Sequence, residues 1–195
     1  MNDPTAREPT SPWDLISEWL PSNDDPERPQ MTLSTVTPAG EADARTVLLT
    51  EFNADGFFFH TDAMSRKASN IVNNSSVALT ILWSGFTRQL VVQGRAEVAP
   101  AYEIAAAYAA RSSYLKQLAW QNTFEFAQLD NSERSARWAE FTRSHPDGFA
   151  QPDTWIGFLV RPTRMTFWTS APDSASRRLE YRESSGGWTR AYLPG

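Results

Sequence analysis

The chain contains no cysteine and only 2 histidines in 195 residues. The first absence excludes disulfides, a thiolate nucleophile, and zinc or iron–sulfur sites built on Cys ligands. With His60 and His145 as the imidazoles, a multi-His metal site is all but excluded, and a Ser–His–Asp triad would have to use one of these two. Long apolar runs are also missing. Stretches such as residues 104–110 fall far short of a membrane span, and the first residues lack a basic start followed by an apolar run. The expectation is a soluble cytoplasmic protein with no membrane partner. Positive charge is scarce as well: 18 Lys plus Arg against 23 Asp plus Glu give a formal net charge of -5, the wrong sign for a nucleic-acid surface. Any bound anion must therefore meet a local cluster of cations.

The residues that are plentiful point to an ordinary globular protein with an aromatic-rich core: 41% are hydrophobic, and there are 8 Trp, 5 Tyr and 11 Phe. The length fits one domain with appendages or two small ones. Residues 1–10 are polar and Pro-punctuated and read as a mobile tail. Ser11-Pro12-Trp13-Asp14 places a capping hydroxyl, a first-turn proline and an early acid where a helix starts, and residues 21–29 read as a linker, so 11–29 form a helix plus linker. From residue 30 to 195 the pattern is mainly β with inserted helices. Strands are expected over 31–37, 44–50, 57–61, 77–83, 89–97, 155–160, 164–169, 178–182 and 188–192, with helices around 64–72, 101–110 and 132–141. Hairpins of this kind suggest a small closed or partly closed barrel with helical decoration. The absence of GxGxxG and Walker A loops leaves phosphate binding to side chains.

The oddest local feature is Ser65-Arg66-Lys67, which puts two cations into the first turn of a helix, against its dipole. Taken alone, the triplet reads as solvated surface charge. An anion there would reverse the sign, because backbone N–H groups, a hydroxyl and two cations converge. Arg45 sits inside an otherwise apolar strand and must reach either water or an anion. Gln89 opens another strand and could read a heterocycle through its paired donor and acceptor. Trp168 and Arg178 flank the last strands. His60, in a Phe-rich strand, reads as structural, and neither histidine is assigned a catalytic role.

Taken in order, Arg45-Thr-Val-Leu-Leu49, Phe59-His-Thr61 with Ser65-Arg-Lys67, Trp83 with Arg88-Gln89 and Gly94-Arg-Ala-Glu97, then Trp155-Ile-Gly-Phe158 and Phe167-Trp168 resemble the pyridoxamine 5′-phosphate oxidase family. The resemblance implies an FMN-binding split β-barrel, homodimeric, with shared flavin sites over residues 30–195. It implies that Arg45, Ser65, Arg66 and Lys67 hold the FMN phosphate. By the same resemblance Thr46, Val47, Leu48, His60 and Thr61 supply backbone or hydroxyl contacts, Gln89 bonds the flavin ring, and Trp168 and Arg178 reach the site of the second subunit.

The departures fall on the substrate side. The family's substrate-binding Lys is Thr50 here, and its Arg-x-His reads Ser174-Ala-Ser176. Arg111 preserves one phosphate-binding Arg, while its Tyr and Ser companions read Ala107 and Leu115. The family's Gln-Ser flavin contact falls on Phe124-Glu125, or on Gln121-Asn122 if the helix is shifted. The implied activity resembles that of pyridoxamine/pyridoxine 5′-phosphate oxidase: hydride transfer from a small (hetero)aromatic molecule to FMN with reoxidation by oxygen. The alternative is a flavin-, deazaflavin- or haem-binding split barrel with another substrate or no turnover.

Overall fold

The computed structural model describes residues 10–195, so the tail expected over 1–10 lies, apart from Thr10, outside the described residues. Helix α1 (Pro12–Trp19) starts where the capping signal predicts: Ser11 Oγ accepts from Trp13 N–H at 3.3 Å and Pro12 sits in the first turn. Ile16 and Leu20 are buried. Trp13 stacks on Phe57 at 5.7 Å, and Trp19 meets Phe167 edge-on at 5.1 Å. The segment read as a linker is tied down. Asn23 exchanges hydrogen bonds of 2.9 and 3.1 Å with the Phe52 backbone, and Arg28 donates to Leu49 O at 3.2 Å.

Strands β1 (Gln30–Val36) and β2 (Ala42–Leu48) form a hairpin, as do β3 (Glu51–Asn53) and β4 (Gly56–Asp62). After α2 (Arg66–Asn73) come β5 (Ser76–Leu82) and β6 (Arg88–Val98). Four helices follow, α3 (Ala101–Ala109), α4 (Ser113–Gln121), α5 (Phe124–Ala127) and α6 (Asn131–Ser144), and then β7 (Trp155–Thr169), β8 (Arg177–Ser184) and β9 (Gly187–Pro194). The antiparallel order is β2-β1-β5-β6-β7-β4-β3, with β8 on β7 and β9 on β8. The chain itself closes this path. Leu49 and Thr50 join β2 to β3, and Thr50 N–H donates to Phe58 O of β4 at 2.9 Å. One segment thus pairs with β1 through its first half and with β4 through its second. The curled sheet encloses Leu33, Phe59, Leu79, Leu90, Phe158 and Met165, with α1 packed against them.

Two expectations need correction. The separate runs 155–160 and 164–169 are one 15-residue strand. Pro162 lacks an N–H, but it falls at the irregularity opposite Gln93/Gly94, where the lost ladder bond is tolerated. Helices α4 and α5 were not expected, although Ser112 and Thr123 cap them by accepting from Leu115 N–H (3.4 Å) and Phe126 N–H (3.1 Å). Their aromatic and polar content hides the helical period. Among the described residues no helix is long and apolar enough to cross a membrane.

At Gly56 the barrel wall demands glycine. Its φ is +150°, and an added Cβ would lie 2.1 Å from Val160 O. Gly40 also has positive φ (+84°), but open space surrounds it. We expect Gly40→Ala to cost about 1 kcal/mol in chemical denaturation, from backbone strain alone. Gly56→Ala should cost about 2–4 kcal/mol, since the β4–β7 ladder must also give way.

Candidate functional site

Ser65 caps α2, its Oγ accepting from Ala68 N–H at 3.4 Å, so Arg66 and Lys67 occupy the first turn as the sequence predicts. Lys67 Nζ donates to Thr61 Oγ1 on β4 at 3.1 Å. Arg45 crosses from β2 towards β1, where Nη1 donates to Leu33 O (3.1 Å) and Thr35 Oγ1 (2.8 Å). Its Nη2 forms a close ion pair of 2.5 Å with Asp43 Oδ2, and this buried nitrogen has no other partner. Arg66 Nε is 4.0 Å from the same carboxylate oxygen. Burial, then the charges of Arg45 and Arg66, hold the Lys67 ammonium below its ordinary pKa despite Asp62 and Asp43. Burial would raise the Asp43 carboxyl, but Arg45 and Arg66 outweigh it and hold it low. The cluster has more positive charge than it can neutralise, so an anion brought to it would be stabilised.

A cleft of about 400 Å³ opens beside this cluster, with Thr46, Val47, Leu48, Thr50, His60, Thr61, Ser65, Lys67 and Arg111 in its wall. Leu115, Leu118, Ala119 and Asn122 of the α4 region and Trp155 of β7 complete it. Arg66 lines an adjoining cavity of about 1040 Å³ with Phe124 and Glu125, and Asp62, Ser65, Ala119 and Asn122 border both. Asn122 therefore faces the cavities. Gln121 turns away, accepting from Gln117 Nε2 at 2.8 Å and donating to Arg137 O at 3.3 Å. The helices dock through aromatic side chains: Tyr108 Oη and Trp120 Nε1 donate to Ala150 O at 2.7 and 2.8 Å, and Trp155 Nε1 to Ile104 O at 3.3 Å.

On the floor, Thr50 Oγ1 donates to Phe58 O at 3.1 Å and lies 2.9 Å from His60 Nδ1. With its proton so used, the hydroxyl accepts from Nδ1–H, which leaves Nε2 as the unprotonated ring nitrogen. Nε2 is buried without a partner, and the ring stacks on Trp155 at 5.4 Å. Gly157 makes room for it: a Cβ there would sit 2.6 Å from Nε2. Burial, reinforced by Arg111, lowers the His60 pKa from 6.5 to about 4. Arg111 stacks over Trp155 at 4.4 Å and donates from Nε and Nη2 to Leu115 O at 3.3 and 3.2 Å.

The remaining expected residues lie outside the lining of this cleft. Gln89 pairs with Trp168, and Trp168 with Arg178, across β6, β7 and β8. Trp168 Nε1 donates to Ser176 Oγ at 2.9 Å, and Ser174 is exposed in the loop before β8. Their neighbours Leu90 and Phe167 point into the core, so alternation turns Gln89 and Trp168 to the outer face. Sequence reasoning missed Asp43, Gln30, Leu118 and Ala119. The last two sit on a helix whose one buried residue is the polar Gln117, and nothing local marks Asp43 beyond its place two residues before Arg45, on the same strand face.

The lowered His60 pKa carries a sign. The folded chain binds this proton less readily than the unfolded one, so the contribution is intact above about pH 6.5 and is lost as pH falls towards about 4. The loss amounts to on the order of 3 kcal/mol at most. We expect His60→Gln, which cannot take up the proton, to flatten the fall of denaturation free energy between these two pH values.

Residues 25–143 match the family of pyridoxamine 5′-phosphate oxidase, and residues 155–194 match the pyridoxine 5′-phosphate oxidase C-terminal dimerisation region. The pyridoxine/pyridoxamine 5′-phosphate oxidase of Haemophilus influenzae is 34% identical over 163 residues, covering 84% of this chain and 78% of that protein. That of Ralstonia pickettii is 36% identical over 160 residues, covering 82% and 76%. Among solved structures, PhzG from Burkholderia lata 383, in complex with tetrahydrophenazine-1-carboxylic acid, superposes with a TM-score of 0.83 at 20% identity over 100% of this chain and 98% of that one. A pyridoxamine 5′-phosphate oxidase-related, FMN-binding protein from Nostoc punctiforme PCC 73102 gives 0.69 at 17% identity, over 85% and 88%. The fold is that of the FMN-binding split barrel, and with matches running through both the barrel and the dimerisation region, the chain belongs to the pyridoxamine 5′-phosphate oxidase family.

Proposed function

We propose that the protein is an FMN-dependent oxidoreductase acting on a small aromatic or heteroaromatic molecule. It would be a homodimer in which Trp168 and Arg178 of the partner subunit complete each flavin site. The observation that carries this reading is the meeting of Arg45, the capped start of α2 and Thr61 beside a cleft, in a chain of this family. Ser65, Arg66 and Lys67 would hold the phosphate, with Arg45 behind them. Thr46, Val47 and Leu48 would lie along the ribityl chain, and Gln89 against the ring. FMN, when bound, supplies a two-electron acceptor that takes hydride from the substrate and is reoxidised by oxygen. The chain's own contribution is orientation and exclusion of water. His60 stays neutral, keeps its one proton on Thr50 and moves none.

The substrate side of the cleft supports a molecule less anionic than a phosphate ester. Thr50 is fully occupied by Phe58 and His60, and Leu115 makes part of the wall apolar. Arg111, stacked on Trp155, is the remaining cation there, suited to a single carboxylate or to an aromatic face. PhzG, of the same fold, holds a tricyclic carboxylic acid. The relatives' names favour a second reading, oxidation of pyridoxine or pyridoxamine 5′-phosphate.

Purified protein should take up FMN with a shift in the flavin absorption bands, and Arg66→Ala or Lys67→Ala should weaken FMN about tenfold to hundredfold while riboflavin affinity stays nearly constant. An unchanged FMN affinity in both variants would remove the phosphate assignment. Anaerobic mixing decides between substrates. Bleaching by a partly reduced, dihydroaromatic carboxylate, which aromatises as it gives up hydride, but not by pyridoxine 5′-phosphate is the expected result, with Arg111→Ala slowing it at low substrate more than at saturation. Bleaching by the phosphate ester would establish the second reading instead.

A further inference from the structure

Asp43 stands where its charge opposes the proposed role of its neighbours. Its Oδ2 is 2.5 Å from Arg45 Nη2 and 4.0 Å from Arg66 Nε, and it accepts from Asn70 Nδ2 at 3.3 Å. Asn70, 3% exposed, also donates to Thr35 Oγ1 at 3.0 Å. The network fastens α2 to β1 and β2 around one carboxylate. Arg45 does not need that carboxylate for its position, because Nη1 is anchored independently on Leu33 O and Thr35 Oγ1. What Asp43 does is cover Nη2, which is buried and has no partner besides this carboxylate.

We infer that Asp43 is an internal counter-ion occupying the place of the cofactor's phosphate, so that anion binding is an exchange in which Arg45 Nη2 and Arg66 Nε pass from the carboxylate to the phosphate. This rests on the reading of the cluster as the FMN phosphate site. Asp43 is then a specificity-determining residue for the cofactor: it balances the empty cluster, lowers affinity for the phosphorylated flavin, and leaves unphosphorylated flavin unaffected. The low pKa of Asp43 keeps it ionised at neutral pH, as a counter-ion must be.

The test compares wild type, Asp43→Asn and Asp43→Ala by fluorescence titration with FMN and riboflavin, and by thermal stabilisation with inorganic phosphate. Asp43→Asn keeps an acceptor for Asn70 while removing the charge. We expect it to bind FMN about tenfold more tightly at low salt, with the gain shrinking as salt is raised and riboflavin affinity unchanged. Asp43→Ala, which also uncovers Nη2, should gain at least as much. Equal or weaker FMN binding by both variants overturns the inference, as does a parallel change with riboflavin, which would mark a structural role. If wild type binds neither flavin, the functional reading fails on its own. The counter-ion is then judged by phosphate: stronger stabilisation of Asp43→Asn than of wild type upholds it, and equal or weaker stabilisation rejects it.

Discussion

The pairing of β7 is the constraint on which the rest of the structure hangs. Along one edge this strand is matched to β6 from Phe158 to Thr169, and along the other it is shared, β4 taking residues 155–160 and β8 taking 164–169. The handover at residues 161–163 coincides with the irregular pairing of Gly94 and Pro162. The β4 side carries the cleft residues Thr50, His60, Thr61 and Trp155. Everything on the β8 side belongs to the dimerisation region, with Trp168 and Arg178 in register on the outer face.

Electrostatics sort the cleft into two parts with different dielectric character. Around α2 the charges are many, close and only partly compensated, so an anion finds ready partners. On the floor the arrangement is the reverse. Imidazole, hydroxyl and carbonyl form a neutral, desolvated chain, and Arg111 spreads its charge over an indole face.

Much of this was legible in the sequence because it depends on local rules. The start of α1, the Ser65 cap with cations in the first turn, and the strand alternation that buries Leu90 and turns Gln89 to the other face all follow from neighbours a few residues apart. What stayed hidden depends on long-range meetings. Asp43 acquires meaning only when β2 folds against Asn70, 27 positions away. His60 becomes a desolvated acceptor only because Gly157, 97 positions on, leaves room for the ring. The helices lining the cleft escaped because their apolar side chains serve a local pocket while Trp120 Nε1 donates to the loop carbonyl of Ala150, so no clean amphipathic stripe marks them.

The 15-residue length of β7 has a consequence for how such a protein can change. At about 3.3 Å per residue the strand is a beam of roughly 50 Å, with the glycine that accommodates His60 near one end and Trp168 near the other. A slip of one residue would turn Phe167 out and Trp168 in, and in the same stroke would move Gly157 away from the imidazole. The two ends cannot be adjusted separately by shifting the beam. Innovation is left to what hangs from it: position 50, the helix behind Arg111, and the loop carrying Ser174 and Ser176.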